Sequence, residues 1–182
     1  MNRTALTTVA TLSGALLLGG CGSSTAPLVF TSAPASVVLP VPSDPIVNTA
    51  TAPTLSITYA AAENNIDQAT GATIADRLEM TLKNTGTTPL TGFEVYYTMT
   101  DARTGKKESY YQQLTDLILA AGQASTVYFD NKTDPRHYPE NSYSIYRTST
   151  NQVDFAIQAS ATGARIATAT ATKSPGTGEK VD

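Results

Sequence analysis

The feature that most limits what this chain can fold into is a period-two alternation of apolar side chains that recurs from Leu55 onward. Leu55, Ile57 and Tyr59 alternate with polar neighbours. So do Leu78, Met80 and Leu82, then Phe93, Val95, Tyr97 and Met99, and later Val153, Phe155 and Ile157. In an extended strand successive side chains point to opposite faces, so each set is one buried face of a half-exposed strand. Asn84-Thr85-Gly86, Asp101 to Gly105, Ala121-Gly122-Gln123 and Thr162-Gly163 separate the runs with residues that favour turns. The spacing predicts that Lys106 to Gln112 pairs with Gly92 to Thr100, that Ala124 to Asp130 follows the Gly122 turn, and that Ala164 to Lys173 returns along Gln152 to Ala159 as a last hairpin. Strands amphipathic on one face need a second sheet to cover them. The expected fold is all-β: an immunoglobulin-like antiparallel sandwich of about seven strands over residues 54–173. Ala60 to Ala75 and Asn131 to Asn151 resist assignment, and Ser142 to Tyr146 suits either one helical turn or a short edge strand.

Ahead of this domain the composition differs. From Gly22 to Pro53 the chain holds six of its ten prolines and one charged residue, Asp44. Proline fixes φ and removes a ladder donor, which favours extended, unpaired backbone. Residues 21–53 therefore read as a linker, whose 32 residues beyond Cys21 would reach about 100 Å if fully extended at ~3.1 Å each. The apolar runs Leu28-Val29-Phe30 and Val37-Val38-Leu39 leave open that short stretches dock on the domain instead. At the other end, 174–182 has little to bury and reads as a disordered tail.

Residues 1–20 are different again. Arg3 precedes an uncharged stretch from Ala5 to Leu18, and Leu18-Gly19-Gly20-Cys21 follows. This pattern resembles the signal peptide and lipobox of bacterial lipoproteins. The resemblance implies that Cys21, the only cysteine, carries a thioether-linked diacylglycerol and becomes the first residue after cleavage. Two acyl chains at roughly 0.8 kcal/mol per buried CH2 make a stable membrane anchor. The uncharged run is shorter than the ~20 residues a bilayer span needs. Localisation in the bacterial cell envelope, facing away from the cytoplasm, follows as an expectation. The mature chain would then have 162 residues and no thiol, so its stability must come from packing.

The segment Met80 to Asp101, MTLKNTGTTPLTGFEVYYTMTD, resembles the strand, Asn-x-Gly turn, strand unit of many extracellular bacterial immunoglobulin-like domains and of family 2 carbohydrate-binding modules. Those modules bind sugars on a platform of exposed tryptophans, whereas this chain has no tryptophan and nine tyrosines. Hairpin geometry accounts for the segment on its own terms. Asn84 and Gly86 suit positive φ, and Pro89 begins the return strand without needing an amide donor.

Chemistry-bearing motifs are sparse. The net charge is −3, falling to −4 when Arg3 leaves with the signal, which is no footprint for nucleic acid. The loop Asp130 to Asp134 offers oxygens of the kind calcium takes, yet Lys132 sits in its middle, and capping of turns is the commoner use of such residues. His137, the only histidine, reads as a solvated loop residue. There is no Gly-x-Ser-x-Gly elbow, His-Glu-x-x-His pair or phosphate-binding glycine loop, so neither catalysis nor a cofactor is expected.

Tyrosines supply the candidate contact residues. Tyr96-Tyr97 and Tyr110-Tyr111 lie on strands expected to be neighbours, and one member of each pair must face outward. With Tyr97 in the core, Tyr96 faces out, and Tyr110 is taken as its exposed neighbour. Tyr138 and Tyr143 mark the Asn131 to Asn151 loop as a second contact surface. Such rings anchor a protein partner or stack on sugar. The expectation is a non-catalytic, lipid-anchored module that contacts another envelope protein, with polysaccharide binding as the alternative.

Overall fold

A computed structural model of the chain describes residues 38–65, 69–71 and 77–176, all within one unit, Ala33–Asp182. The lipobox, Cys21 and Leu28-Val29-Phe30 lie outside the described residues. Among the described residues, eight strands and one helical turn follow in the order β1 (Leu55–Ala62), β2 (Leu78–Asn84), β3 (Phe93–Asp101), β4 (Lys107–Leu114), β5 (Ala124–Phe129), β6 (His137–Tyr138), α1 (Ile145–Thr148), β7 (Val153–Ala161) and β8 (Ala164–Lys173). They form two four-stranded sheets, ordered β1-β2-β5-β6 and β4-β3-β7-β8. All pairings are antiparallel except that of β5 with the two-residue β6. This is the expected sandwich.

The alternating residues become the core. Leu78, Met80 and Leu82 of β2 and Val127 and Phe129 of β5 are buried with Phe93, Val95, Tyr97 and Met99 of β3 and Val153, Phe155 and Ile157 of β7. Aromatic rings cluster around Tyr97, whose centroid lies 5.6 Å from those of both Tyr110 and Phe129 and 6.4 Å from that of Phe155. Both predicted hairpins form, with Thr100 opposite Lys107 in the first and Ala161 opposite Ala164 in the second.

The Asn84 to Gly86 turn works differently from the expectation, since neither residue adopts positive φ. Asn84 is fully buried and acts through its side chain: Nδ2 donates to the carbonyls of Thr88 (2.7 Å) and Leu119 (2.9 Å), and Oδ1 accepts from Gly86 N. Gly86 is required by crowding, because a Cβ there would meet Thr54 Cγ2 at 2.9 Å.

The two unassigned stretches differ in outcome. Ala60 to Ala62 complete β1, whereas much of 66–76 lies outside the described residues. In 131–151 the chain adds β6 at the sheet edge and then the turn α1, three residues beyond the start of the segment considered for a helical turn. Ile145 and Tyr146 drive that turn by entering the core, Tyr146 edge-on to Phe155 at 5.4 Å.

The described parts of the linker and the tail lie against the domain. Residues 41–52 are a strap over the second sheet: Val41 N donates to Ser109 O on the edge of β4, Asp44 accepts from Gln158 Nε2, Asn48 Nδ2 donates to Ser160 Oγ and Ala164 O (2.8 Å each), and Ala52 O accepts from Arg165 N. Val41, Ile46, Asn48 and Ala50 are half-buried while Val47, Thr49 and Thr51 face solvent, the alternation of an extended chain lying on a surface. Val38 packs against the core, whereas Leu39 is exposed. In the tail, Ser174 O accepts from Asn64 Nδ2 and Gly176 N donates to Thr150 O, so its first residues are attached.

Candidate interaction surfaces

The β3–β4 register decides where the tyrosines stand. Tyr97 lies opposite Tyr110 and Tyr96 opposite Tyr111. The inward pair is therefore Tyr97 and Tyr110, and Tyr110 is 1% exposed. The expectation that Tyr110 shares an outer patch with Tyr96 is overturned: Tyr111 is the outward neighbour. Burial pushes the Tyr110 hydroxyl well above the ordinary tyrosine range, and the adjacent Glu108 carboxylate adds to the shift. As a lasting donor it bonds Glu108 Oε2 at 3.0 Å and accepts from Asn141 Nδ2 at 3.2 Å.

On the outer face Tyr96 and Tyr111 are only half-exposed. Tyr111 Oη donates to Glu94 Oε1 at 2.5 Å, and Tyr96 Oη accepts from Thr98 Oγ1 at 3.3 Å. The strap bonds residues of this same sheet on β4 and β7, the two strands flanking β3.

Tyr138 is buried as well, and its ring packs 5.9 Å from Phe129. Its role as a contact residue is replaced by one in the core. Tyr143, by contrast, is 72% exposed and stands on a loop that is pinned throughout. Asn131 Oδ1 accepts from Glu140 N, Asn131 Nδ2 donates to Ser142 Oγ, and Asn141 Oδ1 accepts from Tyr143 N itself at 2.9 Å. Pro139 O accepts from Gln112 Nε2 and Ile145 N donates to Glu108 Oε2, tying the loop to β4. Below it Arg147 forms a buried ion pair with Glu140 and lies 5.1 Å over the Tyr146 ring. An exposed ring on so constrained a backbone loses little entropy when a partner binds it.

His137 is not a solvated loop residue. It forms β6, its Nδ1 lies 2.8 Å from Asp130 Oδ1, and its ring stacks on Tyr128 at 4.7 Å. Asp130 thus spends its oxygens on His137 and on Lys132 N (3.2 Å).

Two features went unread in the sequence. Asp101, buried at the end of β3, accepts from Ser149 Oγ at 2.5 Å, from Asn151 Nδ2 at 3.0 Å and from the amides of Arg103 and Thr104. Hydrogen bonds from Ser149, Asn151 and Thr104 hold its carboxyl far below the ordinary carboxylate range. Beside it, Lys173 Nζ donates to the carbonyls of Ser149 (2.7 Å) and Asn151 (3.2 Å). The network clamps the 149–151 turn to two strands, β3 through Asp101 and β8 through Lys173.

The second is a hollow of about 490 Å³, lined in part by Phe93, Glu94, Gln113, Leu114, Asp116 and Ile118. Ile118 is 65% exposed, and the run Leu117-Ile118-Leu119 carried the signal, since three consecutive apolar residues cannot all face one core. Asp116 holds positive φ (65°), which turns the loop outward. Family models and curated proteins gave no match to the chain.

Proposed function

We propose that this protein is a lipid-anchored, non-catalytic module of the cell envelope that makes contact with another envelope protein. The observation that carries the reading is Tyr143, a large aromatic side chain 72% exposed on a loop whose neighbours are fixed by hydrogen bonds to β4 and to one another. Tyrosine supplies apolar area and a polar tip with few rotatable bonds, and rings of this kind dominate protein-contact energetics. The lipobox Leu18-Gly19-Gly20-Cys21 supports the membrane anchor.

A photo-crosslinking phenylalanine derivative at position 143, introduced in the full chain in intact cells, tests this. The expected result is a discrete protein adduct that the same group at position 59, also on the surface, does not give. Identical adduct patterns from both positions, or none from 143, would sink the assignment.

A further inference from the structure

The hollow beside Ile118 has a chemistry that selects its occupant. Its floor is apolar: Phe93, Leu114 and Leu117 are buried beneath it, and Ile118 forms an exposed wall. Its ionisable lining residues are Glu94 and Asp116, both acids. Glu94 is held in place before any ligand arrives by the Tyr111 hydroxyl at 2.5 Å. Asp116 is presented by a loop residue of positive φ, a conformation that aspartate tolerates better than most side chains. Arg136 lines a neighbouring depression that shares Asp116, Leu117 and Ile118 with the hollow, and there it donates to Ser125 Oγ at 3.3 Å.

We propose that this hollow receives a cationic side chain, an arginine or lysine, carried by a segment of the protein partner; the inference rests on the reading of the domain as a protein-contact module. A wholly apolar occupant would strip water from two carboxylates without replacing it, and an anion would meet two like charges. A long cationic side chain does neither. Its methylene stem covers Ile118 and the apolar floor while its head reaches the two acids. The volume falls within the ~300–1,000 Å³ of small-ligand sites, enough for one such side chain with adjoining backbone.

The test uses the full chain in detergent micelles with isoleucine methyls labelled for NMR, and N-acetyl-arginine amide as the probe. The citrulline analogue, of the same shape without the charge, serves as control. The Ile118 methyl is expected to shift saturably at millimolar probe, as for a ligand worth about 4 kcal/mol, while that of Ile57 on the other sheet stays still. Citrulline should bind about tenfold more weakly, and added salt should weaken the arginine probe. Asp116→Asn should lower affinity several-fold, since asparagine keeps the backbone conformation and loses the charge. Equal shifts from citrulline, no shift up to roughly 100 mM probe, or undiminished binding by Asp116→Asn would overturn the proposal. A shift with cell-wall oligosaccharide and none with arginine would overturn it in favour of a glycan. A crosslinked adduct at position 143 together with a silent Ile118 discards the hollow alone and leaves the protein-contact reading standing.

Discussion

Tyr110 lies directly opposite Tyr97 across the β3–β4 pair, the two rings stacked with centroids 5.6 Å apart inside the sandwich. One residue further along each strand, Tyr96 and Tyr111 face each other on the outside. The same dipeptide thus does two jobs. Tyr110→Ala should cost about 3–5 kcal/mol, the cost of emptying a large aromatic site in a core, and Tyr111→Ala less than about 1 kcal/mol. Urea titrations of the two variants check the difference, and equal losses would contradict the register.

Asp101 ties stability to acid pH. Its carboxyl titrates well below the ordinary value in the folded chain, because hydrogen bonds from Ser149, Asn151 and Thr104 favour the charged form. A depressed carboxylate stabilises the native state above the unfolded-state pKa of about 3.9, and that contribution is lost as pH falls from there through the folded value. Asp101→Asn should therefore be less stable than the parent at pH 7 and show a flatter decline in stability below about pH 4. Denaturant midpoints at neutral and acid pH supply the measurement.

The Glu140–Arg147 pair is buried beneath the Tyr143 loop, with Arg147 Nε 3.0 Å from Glu140 Oε1. Removing one charge leaves the other buried, so Glu140→Gln or Arg147→Met should destabilise by about 3–5 kcal/mol. The double variant should lose less than the sum. A double-mutant cycle in guanidinium reads the coupling, and simple additivity would show that the two groups do not act as a pair.

Asn48 holds the strap at its centre through Ser160 and Ala164. Asn48→Ala removes both bonds at a cost of roughly 1–2 kcal/mol, borne locally because the strap contributes few core residues. Amide exchange over residues 41–52 should accelerate, and protease cleavage there should rise, while the denaturant midpoint of the sandwich moves little. Unchanged exchange would place the hold on the strap elsewhere.

If Cys21 carries the proposed lipid, Cys21→Ala should abolish palmitate labelling, because no other position offers a thiol for the lipid. Palmitate label persisting on the variant would defeat the lipid anchor.

Much of the sandwich was legible because its code is local. Phe93, Val95, Tyr97 and Met99 can share a face only in a strand, and Asp101 to Gly105 can return the chain only in a tight turn. The site was less legible. Tyr143 was readable as a candidate from its place in a polar loop, yet its exposure depends on Asn131, Asn141 and Gln112 reaching across the chain. Tyr138 looks no different in the sequence and is buried because β6 pairs with β5, beside Phe129.

The amino-acid order by itself determined which segments extend, where most of them turn and which hairpins form, since period-two burial and turn chemistry act between near neighbours. Tertiary structure alone decided which of two adjacent tyrosines enters the core. A one-residue slip in register exchanges Tyr110 for Tyr111, and two identical side chains give the local code nothing to choose between. It also decided that a proline-rich segment lies down as a strap, because the partners of Asn48 stand more than a hundred residues away and proline favours extended backbone whether or not a surface waits beneath it.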